Sequence, residues 1–117
     1  MRYRALAALP FLILSQAALA QDKPFMAGGP TVTLAVTGTT GSVQVQATSA
    51  SPALRVYNSG TVAVFINCGV SGVTATVAAG MPLAPGSVEV VGSGQTHCAA
   101  ISGGTAATLY ITPGSGI

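Results

Sequence analysis

Short runs of alternating apolar and polar residues, separated by turn-forming residues, follow one another from Thr31 to the end of the chain. Residues 42–48 alternate strictly, with Val43, Val45 and Ala47 on one side and serine, glutamine and threonine on the other. A period of two is typical of a strand with one buried face. Comparable runs predict further strands at 31–36, 54–57, 62–68, 74–78, 87–91, 96–101 and 107–111.

Turn-forming residues separate these runs. The segments 58–61 and 102–105 contain glycine with asparagine, serine or threonine and predict hairpin connections. Residues 79–86 contain two prolines and predict a loop. About eight short strands at spacings of about ten residues predict an all-β fold, either an antiparallel β-sandwich or a small jelly roll or barrel.

The first twenty residues have the three parts of a secretory signal. Arg2 and Arg4 precede an apolar stretch at 5–14, and the small residues Ala18 and Ala20 precede the expected cleavage position. The apolar stretch has about half the length that a membrane-spanning helix needs. The sequence therefore predicts a signal-peptide helix at 1–20, an extended linker at 21–30 and a β-sandwich domain at 31–117. Met26 is an alternative start, which would leave the protein in the cytoplasm.

Charge is scarce, since only 5% of the residues are Asp, Glu, Lys or Arg. After cleavage, Lys23 and Arg55 would balance Asp22 and Glu89. A neutral surface does not attract phosphate backbones or anionic lipid. We therefore expect no nucleic-acid partner, and membrane contact only through the signal peptide during export. A surface with so few charges also lacks the usual protection against self-association, which favours protein partners.

Two cysteines, Cys68 and Cys98, lie in the predicted domain. An exported protein would usually join them in a disulfide, whereas a cytoplasmic one would keep two buried thiols. His97 precedes Cys98, but neighbouring side chains of a strand point to opposite faces. A cysteine–histidine pair within this strand is therefore not expected.

Enzymes need a positioned acid, base, nucleophile or metal, and the predicted domain has very few such groups. We expect no enzyme activity, no cofactor and no metal site. Tyr57, Phe65 and Tyr110 lie within apolar runs, which favours core anchors over an exposed stacking patch. The candidate binding residues are Arg55, Tyr57, His97 and Tyr110.

Five segments occur in an order that resembles a family of tailed-phage proteins of roughly a hundred residues, usually described as virion structural proteins. The resemblance covers 31–117. It implies an accessory or decoration-type particle subunit that binds protein partners or itself, with no catalytic residues. The five segments are Arg55 to Asn58, Val73 to Thr76, Pro85 to Glu89, Thr96 to Ile101 and Leu109 to Gly114.

The chain departs from that family in two ways. Family members begin near the equivalent of Met26 and lack a secretion signal, and they carry other residues at the positions of Cys68 and Cys98. Both departures fit an oxidising destination. Two functions therefore stay open. One is a virion accessory subunit, and the other is an exported periplasmic or surface β-sandwich that binds a cell-envelope or host ligand through loops such as 79–86 and 102–105.

Overall fold

Residues 24–48, 50–92 and 95–116 are described by a computed structural model of the chain, and within these ranges the protein contains only β-strands and loops. No helix in these ranges is long and apolar enough to cross a membrane. The predicted signal-peptide helix at 1–20 lies outside the described residues. The strands are β1 (Met26–Ala27), β2 (Val32–Val36), β3 (Gly41–Gln44), β4 (Ala53–Asn58), β5 (Val64–Gly69), β6 (Met81–Leu83), β7 (Val88–Val91), β8 (His97–Ser102) and β9 (Ala107–Ser115).

The strands form two antiparallel sheets. Sheet A has the order β2-β9-β4-β7, and β1 continues along the same edge of β9 as β2. Sheet B has the order β3-β8-β5-β6. This pairing is that of an eight-stranded jelly roll, formed by β2 to β9, with β1 added at one edge. The prediction of an all-β antiparallel sandwich is confirmed.

The core lies between the two sheets. Alternate residues of β4 and β9 point toward sheet B, and they are fully buried: Leu54, Val56, Leu109 and Ile111. Val64 of β5 is equally buried from the other side. Full burial of such a side chain contributes about 1.5–3 kcal/mol. The apolar residues at every second position of the sequence therefore form the inner face of each sheet.

Every predicted strand except 74–78 overlaps an observed strand. Residues 74–78 lie in the connection between β5 and β6, and β6 forms inside the predicted loop at 79–86. The last strand also continues to Ser115, beyond the predicted end at 111. Pro113 lies where β1 and β2 are separated, so the N–H that proline lacks falls in an interruption of the ladder. Its carbonyl accepts a hydrogen bond from Gly28 N–H at 2.8 Å.

Both predicted hairpins are wrong. Residues 59–63 connect β4 of sheet A to β5 of sheet B, and residues 103–106 connect β8 of sheet B to β9 of sheet A. In a jelly roll most antiparallel partners are distant in sequence, so the chain crosses between the sheets at these points. Turn-forming residues are needed for either kind of connection, and they do not distinguish the two.

The connection from β5 to β6, residues 70–80, lies across the outer face of sheet B, and we call it the strap. Asn67 of β5 donates its side-chain N–H to the carbonyl of Thr74 at 3.0 Å. Ala75 N–H donates to Oγ1 of Thr40, beside the start of β3, at 2.9 Å. Ala99 of β8 lies between these two points and is fully buried. Two backbone groups of the strap, the carbonyl of Thr74 and the N–H of Ala75, are therefore hydrogen-bonded to side chains and not to a neighbouring strand.

Candidate functional site

The two cysteines lie directly opposite each other on β5 and β8 and form a disulfide. Cys98 is fully buried on the inner face of sheet B. The predicted disulfide is confirmed.

His97 lies on the outer face of sheet B, opposite to the side of Cys98. Its Nδ1 is 2.9 Å from Oγ1 of Thr96. Its backbone neighbours across the sheet are Gln44 of β3 and Gly69 of β5. The alternation along β8 thus separates the histidine from the disulfide, as the sequence predicts.

The other three candidate binding residues lie together on the outer face of sheet A. Tyr57 of β4 is directly opposite Tyr110 of β9, and their rings stack with centroids 6.1 Å apart and planes at 25°. Arg55 lies two residues before Tyr57 on β4, so it is on the same face, and it is exposed. Tyr110 is 40% exposed. The expectation that the tyrosines anchor the core is therefore wrong, because the inner face of sheet A is filled by leucine, valine and isoleucine.

Val88 extends this surface and was not among the predicted site residues. It lies opposite Tyr57 on β7 and is 40% exposed. Directly opposite residues of an antiparallel pair point to the same face, so Val88 joins the two tyrosines. We call Arg55, Tyr57, Val88 and Tyr110 the tyrosine patch.

Formal charge is almost absent from the described residues, which contain one basic and one acidic side chain apart from His97. These are Arg55, on the outer face of sheet A, and Glu89. Glu89 lies opposite the buried Val56, so its side chain points to the inner side of the sheet, but it is exposed because β7 is an edge strand. Arg55 and Glu89 therefore leave opposite faces of sheet A.

One end of the sandwich is formed by residues 37–40, 59–63, 84–87 and 103–106, which we call the loop end. Asn58 is fully buried there. Its Nδ2 donates to the carbonyls of Val62, Leu83 and Ala84 at 2.9, 3.0 and 3.3 Å, and its Oδ1 accepts from Gly60 N–H at 2.9 Å. A single side chain thus fixes two of the four loops.

Ser102 has a similar role for the other two loops. Its Oγ donates to the carbonyl of Thr105 at 2.7 Å and accepts from Gly104 N–H at 3.2 Å. Its backbone N–H donates to the carbonyl of Thr37 at 2.9 Å. Residues 84–86 of the predicted binding loop 79–86, together with the predicted loop 102–105, therefore contribute to one end of the module that hydrogen bonds hold in place.

A cleft of about 220 Å³ opens beside the disulfide. Amide and apolar side chains line it, among them Asn67, Gln95, Met81 and Val91. In residues 24–48, 50–92 and 95–116, no three His, Cys, Asp or Glu side chains lie close enough together to hold a metal ion. The side chains of Arg55, Glu89 and His97 lie on different surfaces.

These features define a two-sheet β-sandwich of the jelly-roll type with a tyrosine patch on one sheet and four fixed loops at one end. No protein-family model matches the chain, and no curated protein matches it. One similar solved chain, from Bacillus, belongs to a structure described as endospore appendages that form a family of disulfide-linked pili. It is 17% identical, the match covers 81% of this chain and 94% of that chain, and the TM-score is 0.46. The function is therefore inferred from the residues of this chain.

Proposed function

We propose that this protein is a non-enzymatic structural module that associates with copies of itself through the tyrosine patch. The observation that carries the proposal is the half-buried Tyr57 stacked on the exposed Tyr110, beside the exposed Val88 on a nearly uncharged surface. Tyrosine supplies a large contact area at a low cost in conformational entropy, and it is enriched in protein interfaces. A second copy meets little charge repulsion there, because Arg55 is the only charged member of the patch.

Sedimentation velocity over a concentration series tests this function. We expect the wild type to form oligomers as the concentration rises, and the double variant Tyr57→Ser with Tyr110→Ser to stay monomeric under the same conditions. Val77→Ser removes an exposed apolar side chain on the strap, 49% exposed, and is the matched control that keeps wild-type association. A wild type that stays monomeric at high concentration would contradict the proposal.

The finer version of this function is a virion accessory or decoration subunit. The order of the five segments that resemble tailed-phage structural proteins supports it. The jelly roll also occurs in viral capsid proteins, although it serves many other functions, so this support is an analogy of fold. Co-purification of the protein with particles from producing cells tests this version. Its recovery only in particle-free fractions would contradict it.

We propose that the module works outside the cytoplasm. The disulfide supports this, because cytoplasmic thiols are usually kept reduced. The predicted signal peptide supports it independently. Amino-terminal sequencing of the protein from producing cells is expected to begin at Gln21. A protein that begins at Met1 or Met26 and carries free thiols would contradict export.

Ligand binding at the loop end is the second candidate function. It is favoured by Asn58 and Ser102, which fix four loops at one end while the tips of these loops stay exposed. Loops held by a rigid frame are the usual position of binding sites. Purified protein would then bind isolated cell envelopes, and Thr61→Ala with Thr105→Ala would weaken this binding without affecting self-association.

A further inference from the structure

β7 is the outer strand of sheet A, and its free edge carries unpaired backbone groups. Asn58 N–H donates to the carbonyl of Ser87 at 3.0 Å. Bonded and non-bonded pairs alternate along an antiparallel ladder, so Glu89 is the next residue that bonds toward β4. Val88 and Val90 therefore direct their N–H and C=O groups away from β4. No strand within the described residues pairs with that side.

Glu89 opposes pairing of β7 with the same strand of a second copy. A twofold axis that uses the free groups of both valines would place Val88 of each copy opposite Val90 of the other. Glu89 would then lie directly opposite Glu89 of its mate, in a non-bonded pair with Cα atoms about 4.5 Å apart. Like charges in that position are destabilising. A strand that occupies this edge should therefore carry no carboxylate at the opposing position.

β3, on the other side of the sandwich, meets this requirement. Val45 N–H donates to the carbonyl of Thr96 at 2.8 Å, so by the same alternation Ser42 and Gln44 direct their backbone groups to the free edge. Both side chains are exposed on the outer face, and every residue of Gly41–Gln44 is uncharged. On both β7 and β3, the residues whose backbone groups are free are thus the same residues whose side chains point to the outer face of the sheet. The two edges can pair with their outer faces aligned.

The two remaining outer strands are less suitable. β6 has three residues, and Pro82 at its centre has no N–H. β2 lies beside β3, and the carbonyl of Ala35 is directed toward Gly41, 4.0 Å from the position that a Cβ would take there. Part of the free edge of β2 is therefore covered by the same molecule.

We infer that the β7 edge of one copy pairs with the β3 edge of the next copy, head to tail. The inference rests on the proposed self-association and specifies its geometry. A heterologous contact of this kind leaves one free β7 edge and one free β3 edge, so it generates rings or filaments rather than a closed dimer. Val88 lies on β7 and Tyr57 on the next strand, so this side of the tyrosine patch would lie beside the seam between two copies.

Thiol cross-linking tests the pairing directly, because the two native cysteines are bonded to each other and an introduced cysteine supplies the reactive thiol. Val88→Cys and Gln44→Cys are prepared separately, without reducing agent, and treated with a short bis-maleimide. We expect a covalent dimer mainly when the two variants are mixed. Efficient cross-linking of Val88→Cys alone, or of Gln44→Cys alone, would show a twofold contact and overturn the inference.

A backbone variant provides the second measurement. Val90→Pro removes a free N–H without removing a bond to β4, and Val90→Thr keeps it. We expect Val90→Pro to weaken oligomer formation at least tenfold, whereas Val90→Thr associates like the wild type. The monomers of both variants should melt within a few degrees of the wild-type monomer. Oligomers unaffected by Val90→Pro would refute edge pairing while self-association stands. A wild type without oligomers would refute the proposed function itself.

Discussion

Cys68 and Cys98 face each other across the two central strands of sheet B, with Cα atoms 3.9 Å apart. The bond closes a segment with a sequence separation of 30 residues, which contains the strap, β6 and β7. β6 and β7 are the outer strands on one side of the sandwich, so the cross-link closes the segment that contains both of them.

Removal of the disulfide should lower stability substantially. For the variant Cys68→Ala with Cys98→Ala, we expect a loss of about 3–4 kcal/mol in the free energy of unfolding, since a cross-link over a loop of this length restricts the unfolded chain by roughly that amount. Urea denaturation followed by circular dichroism measures the loss. Reduced wild type is the control and should be destabilised to a similar extent. Equal stability of oxidised and reduced protein would contradict this role.

Asn58 should be among the least replaceable polar residues of the module. Asn58→Ala leaves buried carbonyls and the Gly60 N–H without their side-chain partners, and we expect a loss of about 2–4 kcal/mol, since each unsatisfied group costs about 1–3 kcal/mol. Asn58→Asp should be worse at neutral pH, because a carboxylate would face the carbonyls that now accept from Nδ2. Its deficit should shrink in acid, where the carboxyl group can donate.

The matched control for Asn58 is Asn67→Ala, which removes one exposed hydrogen bond to the strap. We expect this change to cost less than about 1 kcal/mol. Thermal unfolding at pH 7 and at pH 4 compares the three variants. If Asn58→Asp were as stable as Asn58→Ala at neutral pH, the inference that Nδ2 faces only acceptors would be incorrect.

The sequence predicts the strands of this module better than their connections. Strand positions follow from side-chain alternation, which is local: buried residues alternate with more exposed ones along β2, along β4 and from Ala107 to Pro113 of β9. Sheet pairing is not local. Asn58 and Gly60 have the composition of a hairpin turn, yet Asn58 is a buried anchor for loops that are distant in sequence.

The strap is a second case in which the local sequence pattern does not determine the structure, since a strand-like sequence forms a loop. Thr74 and Thr76 alternate with apolar residues and have high strand propensity, but the strap crosses the outer face of sheet B and does not run along one of its edges. Side chains from Thr40 and Asn67 supply the hydrogen bonds instead. In the candidate site, alternation correctly separates His97 from Cys98. The sequence also indicates Arg55, Tyr57 and Tyr110 as candidate residues. Alternation within a strand does not show that β4 lies between β9 and β7, so the convergence of these residues with Val88 on one patch could not be predicted.

Gly114→Ala should detach β1 from the edge of sheet A. A Cβ at this position would collide with the ring of Phe25 and the carbonyl of Met26. β1 contributes only Met26 and Ala27 to the pairing with β9, and both are exposed, so we expect local release rather than global unfolding. Hydrogen exchange at 24–29 should accelerate while the urea midpoint changes little. Gly92→Ala, with no atom within 4 Å of the new Cβ, is the control that should leave exchange unchanged.

Thr40→Val should loosen the strap, because valine keeps the shape of threonine but has no oxygen to accept from the buried N–H of Ala75. An unsatisfied buried donor costs about 1–3 kcal/mol, so we expect a loss in this range or a local opening that avoids it. Hydrogen exchange distinguishes the two outcomes, since opening accelerates exchange of residues 73–79 and of Ala99 beneath them. Thr39→Val changes an exposed neighbour and should leave both stability and exchange at wild-type values. Wild-type protection of Ala75 in Thr40→Val would show that packing of the strap on sheet B, rather than this hydrogen bond, holds it in place.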